Sequence, residues 1–266
     1  MARVTKHYVD GRFGQMHYRR AAPAADTGKP PMLMFHMSPY SSVIYETIMG
    51  VLGDQRLTIA VDTPGFGNSD PPAAPPEVPD YAAAMGDVMD ALKLRNVDLF
   101  GFHTGSKIAL ELAIQRPKQI RKVVSVSASI FTDAELAEHR DTYKATQLTD
   151  DGSHLVKWWQ SARRWSMKGR TLEQIAKVFP ARTMAPEISW WGHRAAFNYK
   201  TADALPKVAQ PILILNPEDD IWDFTPRAKP LLRNGRIHDL PGWSHGFLDM
   251  KPGETAALIG EFLDAA

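Results

Sequence analysis

The chain has 266 residues, with 31 Lys+Arg against 30 Asp+Glu, nine His and no Cys. That length suits one large domain or a domain carrying an insertion, with ample room for a core. Balanced charge argues against nucleic acid or an anionic membrane as partner. The missing cysteine excludes disulfides, Cys-rich zinc or iron–sulfur sites and a thiolate nucleophile. The sequence has no apolar run of about 18 residues and no apolar signal segment at its start, so a soluble, cytoplasmic protein is expected.

Along the chain, Tyr8–Val9 and Gln15–Tyr18 flank Asp10-Gly11, which reads as a hairpin turning at that dipeptide. The Pro/Ala-rich pieces Ala21–Pro31 and Pro71–Pro79 read as exposed connectors. Met32–Phe35, Leu57–Val61, Val97–Phe102, Val123–Val126 and Ile212–Leu215 are short apolar runs of the buried-strand type. Helical patterns occupy Ser42–Leu52, Tyr81–Leu94, Lys107–Gln115 and Glu254–Leu263. Such alternation predicts an α/β fold with a mostly parallel sheet.

One stretch breaks the rhythm. Between Phe131 and Lys200 no buried-strand run occurs, and Ala134–Tyr143, His154–Arg164, Thr171–Phe179 and Trp190–Lys200 read as helices. Five of the seven tryptophans fall here. Because the strand pattern resumes at Pro211, the segment reads as a helical insertion. The expected division is a core of residues 1–130 and 201–266 with an inserted unit over 131–200.

In open parallel sheets the chemistry sits at the carboxyl ends of the strands. Met32–Phe35 leads into His36-Met37-Ser38-Pro39, and Leu57–Val61 into Asp62-Thr63-Pro64-Gly65-Phe66-Gly67-Asn68-Ser69-Asp70. Val97–Phe100 leads into Gly101-Phe102-His103-Thr104-Gly105, and Ile212–Leu215 into Asn216-Pro217-Glu218-Asp219-Asp220. Pro241-Gly242-Trp243-Ser244-His245 stands near the end. These five signals, in this order, resemble the α/β-hydrolase superfamily over nearly the whole chain. The resemblance implies a mostly parallel eight-stranded sheet flanked by helices, with residues 131–200 as a helical cap.

The family's sharp strand-to-helix turn carries a nucleophile, normally Ser and sometimes Asp or Cys, between two glycines. Here Gly101 and Gly105 keep the frame, but its centre is His103. Histidine tolerates the left-handed backbone of such a turn comparatively well. Thr104 and Ser106 carry hydroxyls nearby, but neither occupies the centre. By the same resemblance, His245 matches the catalytic base and Asp220 its acid, with adjacent Asp219 as runner-up. The backbone N–H groups of Ser38 and Thr104 would form the oxyanion hole. Met37 replaces a glycine usual after His36. His36, Met37 and either Trp158 or Trp159 are candidate substrate-binding residues, since neighbours on a helix cannot both face inward.

Two imidazoles in one pocket resist being charged together, so one can accept a proton while the other donates. Three readings follow. The first is hydrolysis of a small or medium, partly apolar ester, amide or C–C substrate, with water activated by the His245–Asp220 dyad and His103 acting as a second base, a nucleophile or a hydrogen-bond donor. The second is cofactor-free proton chemistry, by a lyase or oxygenase, on an aromatic substrate that suits the tryptophan-rich insertion. The third is ligand binding without turnover. No cofactor is expected. A metal on His36, His103 and His245 is disfavoured because these residues lack close ligand spacing and His36 usually supports its loop. The turn Asp62–Asp70 reads as structural, and His7, His17, His139, His154 and His238 as surface or partly buried side chains. Arg163, Arg164, His193 and Arg194 could meet an anionic substrate or simply be solvated.

Overall fold

The apolar runs become the strands of one sheet. In the computed structural model, which describes residues 1–145 and 147–265, these are β1 (Thr5–Gly11), β2 (Gly14–Ala21), β3 (Met32–Phe35), β4 (Thr58–Val61), β5 (Val97–Phe102), β6 (Ile120–Val126), β7 (Ile212–Pro217) and β8 (Gly235–Leu240). Their order is β1-β2-β4-β3-β5-β6-β7-β8. β2 pairs antiparallel with β1 and β4, and every other pairing is parallel.

Both faces of the central strands are covered, which is why they read as unbroken apolar runs rather than alternating ones. Leu33, Phe35, Val61, Leu99 and Val123 face one core cluster together with α2 (Val78–Ala91) and α3 (Thr104–Gln115). Met32, Met34, Ala60, Phe100 and Val124 face the other, with α1 (Glu46–Leu52). Each buried Leu or Phe side chain contributes about 1.5–3 kcal/mol to this sandwich. The hairpin turns at Arg12-Phe13, because Asp10 pairs with Gln15 and Gly11 with Gly14; the expected turn at Asp10-Gly11 lies inside the ladder.

The stretch between β6 and β7 contains α4 (Asp133–Thr142), α5 (Ser153–Arg164), α6 (Leu172–Val178) and α7 (Trp191–Asn198). Thr132 and Thr171 each open a helix with a reciprocal capping box, to Glu135 and Gln174. This segment is tied to the sheet domain beside His245. The His245 N–H donates to the Trp165 carbonyl at 3.0 Å, and the Met167 N–H donates to the His245 carbonyl at 2.9 Å. The chain then passes through α8 (Thr201–Ala204) to β7, and ends in α9 (Phe247–Met250) and α10 (Pro252–Asp264), which packs on the α1 side of the sheet. Among the described residues no helix is long and apolar enough to cross a membrane.

Candidate active site

The site is built where β5 hands over to α3. His103 sits between them with φ +48° and ψ −105°, a left-handed backbone uncommon for a residue bearing a Cβ. The flanking glycines are required by packing. A Cβ on Gly105 would overlap the Phe35 carbonyl oxygen, and one on Gly101 would overlap the Gly105 carbonyl oxygen. The Ser106 hydroxyl donates to the carbonyls of Gly101 and Val126, both at 2.9 Å, so it braces the turn from within.

Two imidazoles meet at this turn, with ring centroids 5.2 Å apart and planes at 77°. Each finds its own carboxylate. His103 Nε2 lies 2.8 Å from Asp219 Oδ2, and His245 Nε2 lies 3.0 Å from Asp220 Oδ1. His245 Nε2 is also 3.9 Å from Asp219 Oδ2. The Asp219 side chain is inaccessible to solvent and is held by further donors. The Ile221 N–H bonds its Oδ1 at 3.0 Å, and the Ser127 hydroxyl bonds its Oδ2 at 3.2 Å. Asp220 is more open and forms part of the cavity wall.

These contacts set the charges. Burial disfavours charging His103, but the field and hydrogen bond of Asp219, joined by the field of Asp220, outweigh it and hold its pKa above the ordinary imidazole value. Burial likewise opposes an ionised Asp220, yet the His245 hydrogen bond and the fields of both imidazoles keep its pKa well below the usual carboxylate range.

A cavity of about 210 Å³ opens beside His103 and Asp220. Its walls include Phe131, His139, Tyr143, Trp165, His193 and Phe197, contributed mainly by the insertion. His139 stacks on Phe197 at 4.9 Å and Tyr143 on His193 at 4.5 Å. Burial, reinforced by the charge of Arg182, lowers the His193 pKa to about 4. His193 is therefore a neutral wall residue near pH 7.

Of the expected site residues, His103, His245 and Asp220 come together, and Ser38 and Thr104 border the same cavity. His36 is buried away from it: its Nε2 accepts from the Thr63 N–H at 2.9 Å, and its Nδ1 is 2.9 Å from the Met37 carbonyl oxygen. Met37 lines a smaller pocket with His245 and Phe102. Trp158 lines an adjoining cavity that shares Tyr143 and His193 as walls, while Trp159 packs edge-on against Phe179. The tryptophan beside His103 is Trp165.

Three further residues were not singled out as site residues. His17 is fully buried rather than surface or partly buried, with its Nδ1 2.8 Å from Asp62 Oδ2, whereas His139 is partly buried, as expected, and lines the cavity. Lys107 is 4% exposed and borders the cavity one helical turn after His103, a spacing that could have drawn attention to it. Its ammonium group donates to the Tyr199 carbonyl at 3.4 Å, and burial lowers its pKa to about 7.

Strand order, the strained turn after β5 and the His–Asp pairing at the sheet's carboxyl edge define a protein of the α/β-hydrolase class. The family model described as alpha/beta hydrolase fold matches residues 30–221, and the chain belongs to that family. It is 32% identical over 249 residues to the 2-(acetamidomethylene)succinate hydrolase of Mesorhizobium japonicum, covering 89% of this chain and 88% of that one. It is 29% identical to the carboxylesterase YbfK of Bacillus subtilis, a match covering 57% of this chain and only half of the relative. A thermophilic esterase from Thermogutta terrifontis superposes with a TM-score of 0.81 at 16% identity, over 98% of both chains.

Proposed function

We propose that the protein hydrolyses a small or medium, partly apolar substrate (ester, amide or activated C–C bond) with water, rather than a side chain, as nucleophile. One observation carries this reading. Where the family places a nucleophile, this chain holds an imidazole bonded to a buried carboxylate, beside a second imidazole–carboxylate pair. With Nε2 of each ring given to a carboxylate, Nδ1 of His245 is the atom available to take a proton from water. Asp220 fixes that tautomer and stabilises the imidazolium that results.

The water oxygen then bonds to the substrate carbonyl carbon. The developing oxyanion is met by the backbone N–H groups of Ser38 and Thr104, and the leaving group departs with a proton returned from an imidazolium. His103, whose pKa Asp219 holds above the ordinary imidazole value, is the donor on the leaving-group side, and the proton that His245 took from water restores it. Residues 131–200 act as a cap that supplies the cavity walls and excludes bulk water. The similarity to named hydrolases supports this chemistry over binding alone.

The aromatic walls support a second reading, proton abstraction from an aromatic substrate without hydrolysis. Product analysis in oxygen-18 water separates the two. Hydrolysis puts label into the acid product, is abolished in His245→Ala and survives in part in His103→Ala. No acyl group accumulates on the protein. An acyl adduct trapped on a hydroxyl residue would overturn the water mechanism, and a product free of label would favour the second reading.

A further inference from the structure

We propose that His103, Asp219, Asp220 and His245 form a binding site for one divalent first-row transition-metal ion. One ligand atom from each of the four residues lies within 4.8 Å of all the others. For metal–donor bonds of about 2.1 Å, donors cis on an octahedron stand about 3.0 Å apart, tetrahedral ones about 3.4 Å and trans ones about 4.2 Å. The cluster contains separations of 2.8, 3.0 and 3.9 Å. The remaining pairs, none beyond 4.8 Å, exceed the trans separation by about 0.6 Å at most, so a single ion can be reached by small side-chain adjustments.

The donor chemistry narrows the ion. Two imidazole nitrogens with two carboxylates form a mixed N/O set that suits zinc, manganese, iron, cobalt or nickel, whereas calcium and magnesium prefer oxygen alone. Once both imidazoles have released their protons, the two carboxylates carry the charge that a dication neutralises. The supporting shell is in place, because Ser127 Oγ and the Ile221 N–H already orient Asp219. On its open side the cluster faces the 210 Å³ cavity through His103 and Asp220, which gives an ion an entry path and room for water as a further ligand. His36, bonded to Thr63 and Met37, takes no part.

This site goes beyond the hydrolytic reading, since the ion would bind whatever reaction the cavity supports. The test uses the full chain, stripped with a chelator and titrated with Zn²⁺ by calorimetry and with Co²⁺ by visible absorption. The expected result is one ion per chain with a dissociation constant of about 1 μM or tighter, and Co²⁺ bands of a nitrogen-ligated site. Asp219→Asn and His245→Gln should each weaken binding at least tenfold, while His238→Ala, outside the cluster, should leave it unchanged. Folding of each variant is checked by circular dichroism, and the wild-type Co²⁺ spectrum reads the ligand set even if a variant fails to fold. Substoichiometric binding, or binding unchanged in folded Asp219→Asn and His245→Gln, overturns the proposal. Turnover by a protein that binds no metal would overturn the cation site and leave the hydrolytic reading standing. Tight binding with no label incorporated by any substrate would do the reverse.

Discussion

Replacing Lys107 with methionine is expected to stabilise the protein, although it alters a residue beside the site. Lys107 is buried, and among the described residues its ammonium group makes one hydrogen bond, a long contact of 3.4 Å to the Tyr199 carbonyl. Burial drops its pKa from 10.5 to about 7. A lowered lysine pKa means that the folded state resists the proton. Wild-type stability is unpenalised above the unfolded value of 10.5, falls as pH drops from there to about 7, and is level below. At pH 7 this difference costs about 4 kcal/mol, an order-of-magnitude figure. Methionine keeps most of the length, carries no charge and gives up a bond worth about 1 kcal/mol at most. A net gain of about 3 kcal/mol should raise the urea midpoint by roughly 1 M for a chain of this size. Urea titrations of both proteins from pH 7 to 10.5 check this, because the difference between the curves cancels every other titrating group. The gap should be widest at pH 7 and close towards pH 10.5. A variant that is less stable at pH 7, with a gap independent of pH, would refute the reasoning.

Two other outcomes follow from the geometry. Asp62 is buried, which alone would raise its pKa, but the His17 hydrogen bond, the field of His36 and the Ser42 and Asn68 N–H groups bring it down to about 2. Its contribution is present above the unfolded value of 3.8 and is lost as pH falls towards 2. Asp62→Asn should cost about 2 kcal/mol at pH 7 and flatten the acid limb of the stability curve, both read by urea titration across pH 2–7. His103→Ser returns a hydroxyl to the centre of the turn. On nitrophenyl esters it should release nitrophenol in a burst and leave an acyl group on the protein, detected by intact-mass spectrometry. A variant that folds but forms no adduct would show that the turn does not present its central side chain to a substrate.

The central strands were legible because burial on both faces leaves an uninterrupted apolar run, as at Met32–Phe35 and Val97–Phe102, whose bounds match β3 and β5. Strand β8 was not singled out, since Gly235–Leu240 is largely exposed and has no such run. The hairpin turn was misplaced because Asp-Gly is a strong turn signal, whereas the register is set by pairing across β1 and β2, with Gly14 at φ +111° beyond the turn. At the site, one-dimensional order brought out His103, Asp220 and His245. It left Asp219 as a runner-up for a single role, because adjacent carboxylates look interchangeable in sequence. The fold separates them: one is sealed in the protein against His103, and the other borders the cavity against His245. His139 and His193 could not be assigned to the cavity from spacing, because α4 and α7 bring them together only in three dimensions.

The same carboxylate accounts for the histidine at the turn. Holding a residue with a Cβ at φ +48° costs of order 1–3 kcal/mol, and the chain retains that strain without a hydroxyl or thiol to present. A serine at the same Cα would be too short to keep the bond that His103 Nε2 makes to Asp219 Oδ2. Asp219 would then rely on the Ile221 N–H and the Ser127 hydroxyl while fully out of water, and a buried carboxylate left short of donors is costly. A hydrogen bond to a charged group contributes about 1.5–3 kcal/mol, comparable to the strain of the turn. His103 and Asp219 therefore form one unit, with the strained turn carrying an imidazole to its carboxylate instead of a nucleophile to a substrate. Any chemistry at this edge of the sheet must begin from four groups held together, not from three with one replaced.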